Sequence, residues 1–467
     1  MILKIVEITH TDYIQNKYTH VSSVFTRDEY CIRLNNLKLQ MRTARYTHVV
    51  IYGDREHYSN IHYFTGYDPR FEEALLIVGI DQDSTIVVGN EGIGYVTVSP
   101  LEMNIELFQS LSLMGQPRDK SIDLISIFSR AGITKLSRVG IIGWKYFQKE
   151  EQFLGNLFFE VPHYLVKNLK SIVGWDNLRN ASDLMVHPEY GLRISMSVHE
   201  IAVAEMAGTK SSQSVINVMR SLSPGKTEYE VSKSLNIDSD PLSAYPNVNF
   251  GGKNVSMGLA SPSLRQLKIG DPVNIGFGYR YSMVARTGLF VSNKREIPVE
   301  MDGIIDKLYI PYFRMLVAWY EALAIGMQGG DVYHEVLSEI GHKKEELGIS
   351  LNLGHFIHSD EWTNSPFFES SSFKLKSGMA IQCDIIAAPG EPYIGVHVED
   401  GLVLADEKLR ISLQELYPDS WKRIQCRRTY IKNIIGINLV EEVLPFSDIQ
   451  ATLNPFLGNI EVAFAKR

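Results

Sequence analysis

The segment VNIGFGYRYSMVARTG, residues 273–288, raises the first question about chemistry in this chain. Its frame is that of two paired strands that could position metal ligands, yet it contains neither aspartate nor glutamate. Hard divalent cations need anionic oxygen ligands. The segment therefore leaves two alternatives: the chemistry is carried by residues elsewhere in the chain, or the fold has lost its chemistry.

Length and charge limit the classes of protein to consider. The chain has 467 residues, more than one hydrophobic core usually serves, so we expect two domains. With 45% hydrophobic and 21% charged residues, the composition is that of a globular protein. A net charge of -8 argues against nucleic acid as the main partner. We interpret the most basic stretch, RIQCRR at 423–428, as a solvated strand or loop.

The cysteines and apolar segments indicate a location. Cys31, Cys383 and Cys426 are far apart and form no disulfide framework, which favours a reducing cytoplasm. The opening residues MILKIVEITHTDYIQ lack the pattern of a signal peptide. No apolar run approaches the ~20 residues that a membrane span needs. We therefore expect a cytoplasmic protein with neither a membrane nor a nucleic-acid partner.

The first part of the chain alternates strand and helix patterns. THVVIYG, EEALLIVGID, STIVVGN and SRVGIIG read as strands, and SIDLISIFSRAG reads as a helix. HYLVKNLKSIVGWDNLRN leads out of this region as a helix and connector. The alternation predicts a small α/β domain over residues 1–175.

From residue 185 the pattern changes to long helices followed by strands. A helix over SVHEIAVAEMAGTKSSQSVINVMRSL stops near Pro224 and Gly225, and Thr227 caps a second helix. A similar pattern follows from YIPYFRML onward, with Asp331 as the predicted cap after Gly329 and Gly330. Two helix–helix–strand halves predict a pseudo-duplicated α+β domain over residues 185–467.

Seven segments in order resemble the creatinase / aminopeptidase P / methionine aminopeptidase family, which has the pita-bread fold. They cover most of the chain: SNIHYFTGY, EIAVAEMAG with SPGKTEYEV, YPNVNFGGKN, LKIGDPVNIGFGYRYSMVARTG, NLGHFIH, LKSGMAIQCD and VHVEDGLVLA. The resemblance implies an α+β pita-bread C-terminal domain with a pseudo-two-fold duplication. It also implies a smaller creatinase-type α/β domain before it.

Peptidases of this family hold two divalent metals between five protein ligands. The two metals together activate a bridging water. The family's two aspartates fall on Gly276 and Met283, so both are lost. The histidine falls on His355 and the last glutamate on Glu399, and both are kept; the first glutamate falls on Asp384. This residual set leaves two readings: one divalent metal (Zn, Mn or Fe), or no cofactor, with these side chains in ordinary hydrogen bonds and ion pairs.

The family's proton-transfer positions have also changed. Its two catalytic histidines fall on Leu259 and Trp362, neither of which can move a proton, and an arginine position falls on His397. The resemblance places further side chains in the cleft, each with a purely structural alternative: Arg286, Tyr281, His358, His397 and Asn254. We expect Met283 and Met257 to fill space vacated by ligand chemistry. Relatives with this layout are usually dimers, so we expect a homodimer in which Arg70 could reach the partner's cleft.

The sequence leaves three functions open. The first is a divergent protein, not an active dimetal Xaa-Pro peptidase, with a cleft repurposed for a small-molecule or peptide-like ligand or a partner. The second is a single-metal or metal-free hydrolase or lyase acting on C–N or C–S bonds through His355, Asp384 and Glu399. The third is an Xaa-Pro aminopeptidase or dipeptidase. Function depends on the site rather than the fold, and the altered positions favour the first.

Overall fold

A computed structural model describes the protein at residues 1–8, 20–120, 122–151 and 157–467. The described residues form two compact units, Val24–Arg193, and Met1–Ser23 together with Ile194–Arg467. The bounds predicted from sequence, 1–175 and 185–467, differ from this division most at the N-terminus. There the first strand joins the second unit, through a pairing described below.

The unit Val24–Arg193 is built on a mixed six-stranded sheet with the strand order β5-β4-β3-β2-β6-β7. Strand β1 (Leu3–Glu7) precedes it in the chain and belongs to the other unit. The strands of the sheet are β2 (His48–Gly53), β3 (Ala74–Gly79), β4 (Thr85–Val88), β5 (Asn104–Leu107), β6 (Val139–Ile142) and β7 (Leu178–Asn180). The helices are α1 (Arg27–Ala44), α2 (Ser59–Thr65), α3 (Gly92–Tyr95), α4 (Leu124–Arg130), α5 (His163–Val173) and α6 (Asp183–Val186).

Both faces of this sheet are covered, which explains why its strands are so apolar. Val49 and Ile51 of β2 enter a core with α1 and α2, whereas Val50 enters a second core with α4 and α5. Successive side chains of a strand point to opposite faces, so one β-branched run serves both layers. The α/β layering predicted for the first part of the chain is confirmed.

The second unit carries a larger sheet with the order β11-β12-β13-β10-β9-β8, and β14 pairs with β13. The strands of this unit that follow β1 are β8 (Asn247–Phe250), β9 (Pro272–Phe277), β10 (Val284–Leu289), β11 (His355–Phe356), β12 (Ala380–Gly390), β13 (Ile394–Leu404), β14 (Val443–Pro445) and β15 (Val462–Lys466). Its helices are α7 (Val198–Ser221), α8 (Glu228–Ser232), α9 (Gly251–Val255), α10 (Ile310–Ala322), α11 (Gly329–Ser338), α12 (Glu407–Leu416) and α13 (Pro418–Tyr430).

The order of elements in this unit confirms the predicted duplication. The pair α7 and α8 precedes strands β8 to β10, and the pair α10 and α11 precedes strands β11 to β13. The two strand sets meet at the centre of the sheet, where β10 and β13 are antiparallel neighbours. Each half therefore contributes one inner strand to the middle of the sheet.

Pairing of the chain ends explains the grouping of the N-terminal residues. Strand β1 is antiparallel to β15, with Leu3 opposite Lys466 and Glu7 opposite Val462. Local sequence patterns carry no information about a strand partner more than 450 positions away. The prediction from sequence therefore included the residues of β1 in the N-terminal domain.

Capping side chains fix where the helix pairs begin. Ser197 caps α7 and Thr227 caps α8, each in a reciprocal pair with a glutamate three residues later. The predicted cap at Thr227 is confirmed. The predicted cap at Asp331 is wrong, because α11 begins at Gly329 after Gln328, so that Asp331 lies within the first turn.

Helix α7 is buried on nearly all sides, so its few charged residues need partners. Glu205 is fully buried and accepts hydrogen bonds from Arg423 Nε at 2.9 Å and from an Arg427 terminal nitrogen at 2.6 Å. Arg427 also pairs with Asp448 at 2.7 Å. The interpretation of RIQCRR as a solvated strand or loop is therefore wrong: it lies on helix α13, and two of its arginines are buried.

This network gives a prediction about stability. Replacing Glu205 with alanine leaves two buried arginines short of a carboxylate, so we expect a loss of about 3–5 kcal/mol in the free energy of unfolding. Denaturation with urea, followed by circular dichroism, measures the loss. The control is Glu346→Ala, which breaks an exposed pair with Lys343 and should cost less than about 1 kcal/mol. Equal effects of the two substitutions would contradict a structural role for the network.

Candidate functional site

The register of the central sheet places the predicted ligand positions in one row. Gly276 lies opposite Ala285, Ala285 opposite Glu399, and Glu399 opposite Asp384. His355 lies opposite Gln382, two residues before Asp384 on strand β12. Directly opposed residues and residues two apart on one strand share a face of a sheet. The strands therefore direct these side chains to one face.

His355, Asp384 and Glu399 come together there, as the sequence-based ligand set requires. Nε2 of His355 is 3.7 Å from Oδ2 of Asp384 and 3.8 Å from Oε1 of Glu399. The imidazole is fully buried, and both carboxyl side chains are less than one-tenth exposed. The three residues converge although they lie on three different strands.

Two further side chains complete what we call the acid–histidine cluster: His355, Glu361, Asp384, His397 and Glu399. Oε1 of Glu361 is 3.1 Å from Nε2 of His355, and Nε2 of His397 is 2.7 Å from Oδ1 of Asp384. Ligand atoms of His355, Glu361 and Glu399 lie within 4.8 Å of one another, as do those of Asp384, His397 and Glu399. The cluster thus offers two trios that share Glu399.

Sequence reasoning missed Glu361 because it follows the segment NLGHFIH that carries the resemblance. The signal was present: Glu361 is six positions after His355, and the segment HSDE (358–361) that ends with it is rich in polar groups. Backbone hydrogen bonds from Phe356 to Asn364 and from Thr363 back to Phe356 fold this segment over β11. Glu361 is brought to the histidine by this turn.

Charge inside the cluster shifts the pKa values of its members. Burial alone would lower the pKa of His355, but the carboxylates of Glu361, Glu399 and Asp384 raise it well above its usual value. Burial and the nearby charge of Asp384 raise the pKa of Glu399 to about 7. Despite burial, the pKa of Asp384 is lowered by His397, whose own pKa is raised by Asp384.

The hairpin β9–β10 presents no carboxylate to this face. A Cβ atom on Gly276 would lie 3.2 Å from Cε of Met283, so the methionine tip fills the space beside Gly276. Met283 is 8% exposed. On the same strand face, Asn274 accepts a hydrogen bond of 2.7 Å from Thr287. The expectation that Met283 fills this space agrees with the geometry. Met257 does not fill buried space, because it is 54% exposed.

Two of the predicted cleft residues are engaged elsewhere. Arg286 lies between Ala285 and Thr287 on β10, so its side chain points to the opposite face, where it pairs with Asp400 at 2.8 Å. Asn254 donates to Glu228 at 2.9 Å and to Ser263 at 3.3 Å. The structure thus gives both residues structural partners.

Tyr281 and His358 lie together in a second buried group. Their rings are 5.3 Å apart, and Nε2 of His358 is 3.1 Å from Oε1 of Glu200 in the first turn of α7. Tyr281 has a positive φ of 76°, which is uncommon for a residue with a side chain. This group of Tyr281, His358 and Glu200 lies outside the acid–histidine cluster as defined above.

Leu259 and Trp362, on which the family's two catalytic histidines fall, differ in their surroundings. Leu259 is 86% exposed. Trp362 stacks on the ring of His355, with ring centroids 4.1 Å apart and planes inclined by 17°. The indole of Trp362 therefore covers one face of the buried imidazole. Arg70 lies in the unit Val24–Arg193, where it donates to the Tyr95 hydroxyl at 3.0 Å.

This architecture is similar to that of known proteins. Residues 203–406 match the model of metallopeptidase family M24. The fold is similar to the prolidase of Pyrococcus horikoshii OT3, with 16% identity, a TM-score of 0.62, and coverage of 80% of this chain and 95% of that one. A Bacillus anthracis Xaa-Pro dipeptidase is similar with 14% identity, a TM-score of 0.61 and coverage of 81% and 96%.

Zinc-substituted Escherichia coli aminopeptidase P is also similar, with 17% identity, a TM-score of 0.58 and coverage of 82% and 94%. No curated protein matches the chain. The resemblance to the creatinase / aminopeptidase P / methionine aminopeptidase family is confirmed, and the second unit has the pita-bread fold. Among the described helices, none is long and apolar enough to cross a membrane.

The tight hairpin beside the cluster yields a second prediction. The only tight contact of alanine at Gly276 is with the flexible end of Met283, and Asn247 lies at ordinary contact distance, so the substitution should cost less than about 1 kcal/mol. Alanine at Gly278 places a Cβ atom 2.0 Å from the Ser282 carbonyl oxygen and 2.9 Å from Met283 Cα, and should cost about 1–3 kcal/mol or more. Thermal unfolding compares the two variants. A larger loss for Gly276→Ala would show that the hairpin is packed differently.

Proposed function

We propose that this chain is a divergent M24-type protein that is not an active dimetal Xaa-Pro peptidase, with its C-terminal cleft repurposed to bind a small molecule. The observation that carries the proposal is that Cε of Met283 lies 3.2 Å from where a Cβ atom on Gly276 would be, so an apolar group occupies this space. In the family these positions hold two aspartates, one of which bridges the metals. Two dications in close contact need more negative charge than the remaining carboxylates supply.

The loss of proton transfer supports the same proposal. A peptidase needs a group that protonates the leaving amine, and Leu259 and Trp362 have no titratable atom. His397 is hydrogen-bonded to Asp384, so it is engaged within the cluster. In this proposal the chain lacks a second metal site and also lacks both of the histidines that move protons in peptidases of the family.

The residues that are present fit a single divalent cation better than a pair. On the β12–β13 side the cluster supplies imidazole and carboxylate donors, and Nε2 of His355 is buried without an aligned hydrogen bond among the described residues. His355 and Glu399 of the sequence-based set would hold such an ion, and Asp384, the third member of that set, lies beside them. When bound, the ion would supply Lewis acidity and lower the pKa of a bound water.

A second candidate function follows from this fit: a single-metal hydrolase or lyase acting on C–N or C–S bonds. The unaligned His355 nitrogen among three carboxylates favours it over a cluster that is purely structural. In the metal-free alternative of this function the chain would contribute Glu399, whose raised pKa of about 7 suits it to accept and return a proton near neutral pH. Trp362 would shield the ligand imidazole from solvent.

The family resemblance supports further proposals about assembly and location. We infer a homodimer in the cytoplasm, with a small-molecule or peptide-like ligand in the cleft. In this arrangement Arg70, which now contacts Tyr95, would be available to a partner subunit.

The proposal predicts that purified protein supplied with manganese, zinc or iron does not hydrolyse Xaa-Pro dipeptides or Xaa-Pro-Xaa tripeptides above background. Release of the free amino acid, detected by chromatography, is the measurement. The variant Gly276→Asp/Met283→Asp should bind more divalent metal than the wild type, because it returns two carboxylates to the hairpin.

Gly276→Asn/Met283→Asn is the matched control, with similar side-chain volumes and no added charge. An increase in bound metal over the wild type in the aspartate variant, but not in the asparagine variant, would attribute the effect to carboxylate charge. Turnover of an Xaa-Pro peptide by the wild-type protein, with two equivalents of bound metal, would overturn the proposed function.

A further inference from the structure

The turn after strand β11 contributes a carboxylate to the cluster that the family's ligand pattern does not include. Glu361 lies in this turn, and its side chain is 32% exposed, whereas the imidazole that it contacts is fully buried. The turn is fixed by backbone hydrogen bonds between Phe356 and Asn364 and between Thr363 and Phe356. Glu361 therefore reaches His355 from a defined backbone position.

The tautomer of His355 indicates which nitrogen is available to a ligand. Nδ1 lies 3.2 Å from the carbonyl oxygen of Phe356, an acceptor, so Nδ1 carries a hydrogen atom. Nε2 faces Glu361, Asp384 and Glu399 but has no aligned hydrogen bond among the residues that the structure describes. A backbone carbonyl that holds one ring nitrogen is the usual support for an imidazole whose other nitrogen binds a metal.

The second trio in the cluster lacks this feature. His397 Nε2 is already hydrogen-bonded to Oδ1 of Asp384 at 2.7 Å. This bond leaves Oδ2 of Asp384 directed toward His355, at 3.7 Å. Asp384 and His397 therefore form a positioning pair beside the first trio.

We propose that Glu361 is a direct ligand of a single divalent cation held by His355, Glu361 and Glu399, with Asp384 facing the same ion. The inference deepens the proposed function and rests on it, because it assumes that the dimetal arrangement is gone. Mixed imidazole and carboxylate donors suit zinc, manganese or iron. Glu361 returns one carboxylate to a site that has lost two, which is sufficient for one dication.

Metal binding, measured without reference to activity, tests this assignment. Apoprotein is titrated with Zn²⁺ or Mn²⁺ by calorimetry, bound metal is counted by plasma mass spectrometry, and Co²⁺ loading is followed by its visible absorption. The wild type should bind close to one equivalent. Glu361→Gln should weaken binding at least about tenfold and change the Co²⁺ spectrum.

Glu369→Gln is the matched control, since Glu369 is an exposed acid eight residues along the same connection. It should bind metal like the wild type. Because Glu361 is partly exposed, the Glu361→Gln variant should fold, which circular dichroism checks. Asp384→Asn is compared in parallel, because the sequence-based ligand set includes Asp384 and omits Glu361.

The outcomes separate the two proposals. One equivalent in the wild type, lost in Glu361→Gln and kept in Glu369→Gln, supports Glu361 as a ligand. One equivalent kept in Glu361→Gln and lost in Asp384→Asn would overturn the assignment of Glu361 while leaving the proposed function intact. No binding by the wild type would also overturn it. Two equivalents together with Xaa-Pro hydrolysis would overturn the proposed function itself.

Discussion

The negative charge buried on one face of the central sheet has to be balanced by positive charge. Asp384 and Glu399 lie opposite each other on adjacent strands, and Glu361 approaches the same imidazole. Buried like charges this close are unfavourable unless a cation compensates them. Against the effect of burial, the nearby carboxylates raise the pKa values of His355 and His397, which favours positively charged imidazolium, and burial beside Asp384 raises the pKa of Glu399, which favours its neutral form.

The sheet solves this balance by using its two faces differently. Glu399 and Asp400 are neighbours on β13 and therefore point to opposite faces. Asp400 pairs with Arg286 in a fully buried ion pair, which is complete without any ligand. Glu399 enters the acid–histidine cluster, where positive charge has to come from histidine or a bound ion. Retention of the sequence ED thus preserves two separate interactions, one structural and one available for binding.

Sequence patterns predicted the two-domain architecture, the duplicated helix–strand halves and the convergence of His355, Asp384 and Glu399. Each depends on local periodicity or on an ordered set of recognisable segments. The pairing of β1 with β15 and the burial of Arg423 and Arg427 could not be predicted, because both depend on partners distant in sequence. Glu361 was missed for a related reason: it occupies no position of the family pattern, and a side chain that enters a site from a new position becomes visible only in space, whereas His397 had been predicted to line the cleft.

The side chains around the acid–histidine cluster depend on one another through packing and charge. Met283 occupies the space beside Gly276, so the hairpin side is packed and uncharged, which spares the fold an uncompensated pair of aspartates. At the same time the turn after β11 carries Glu361, which contacts the His355 imidazole, and Trp362, which stacks on it. Connecting turns accept new side chains more readily than central strands, whose residues are constrained on both faces. The strands β9 and β10 therefore present no carboxylate to the cluster, whereas the turn after β11 contributes one through Glu361.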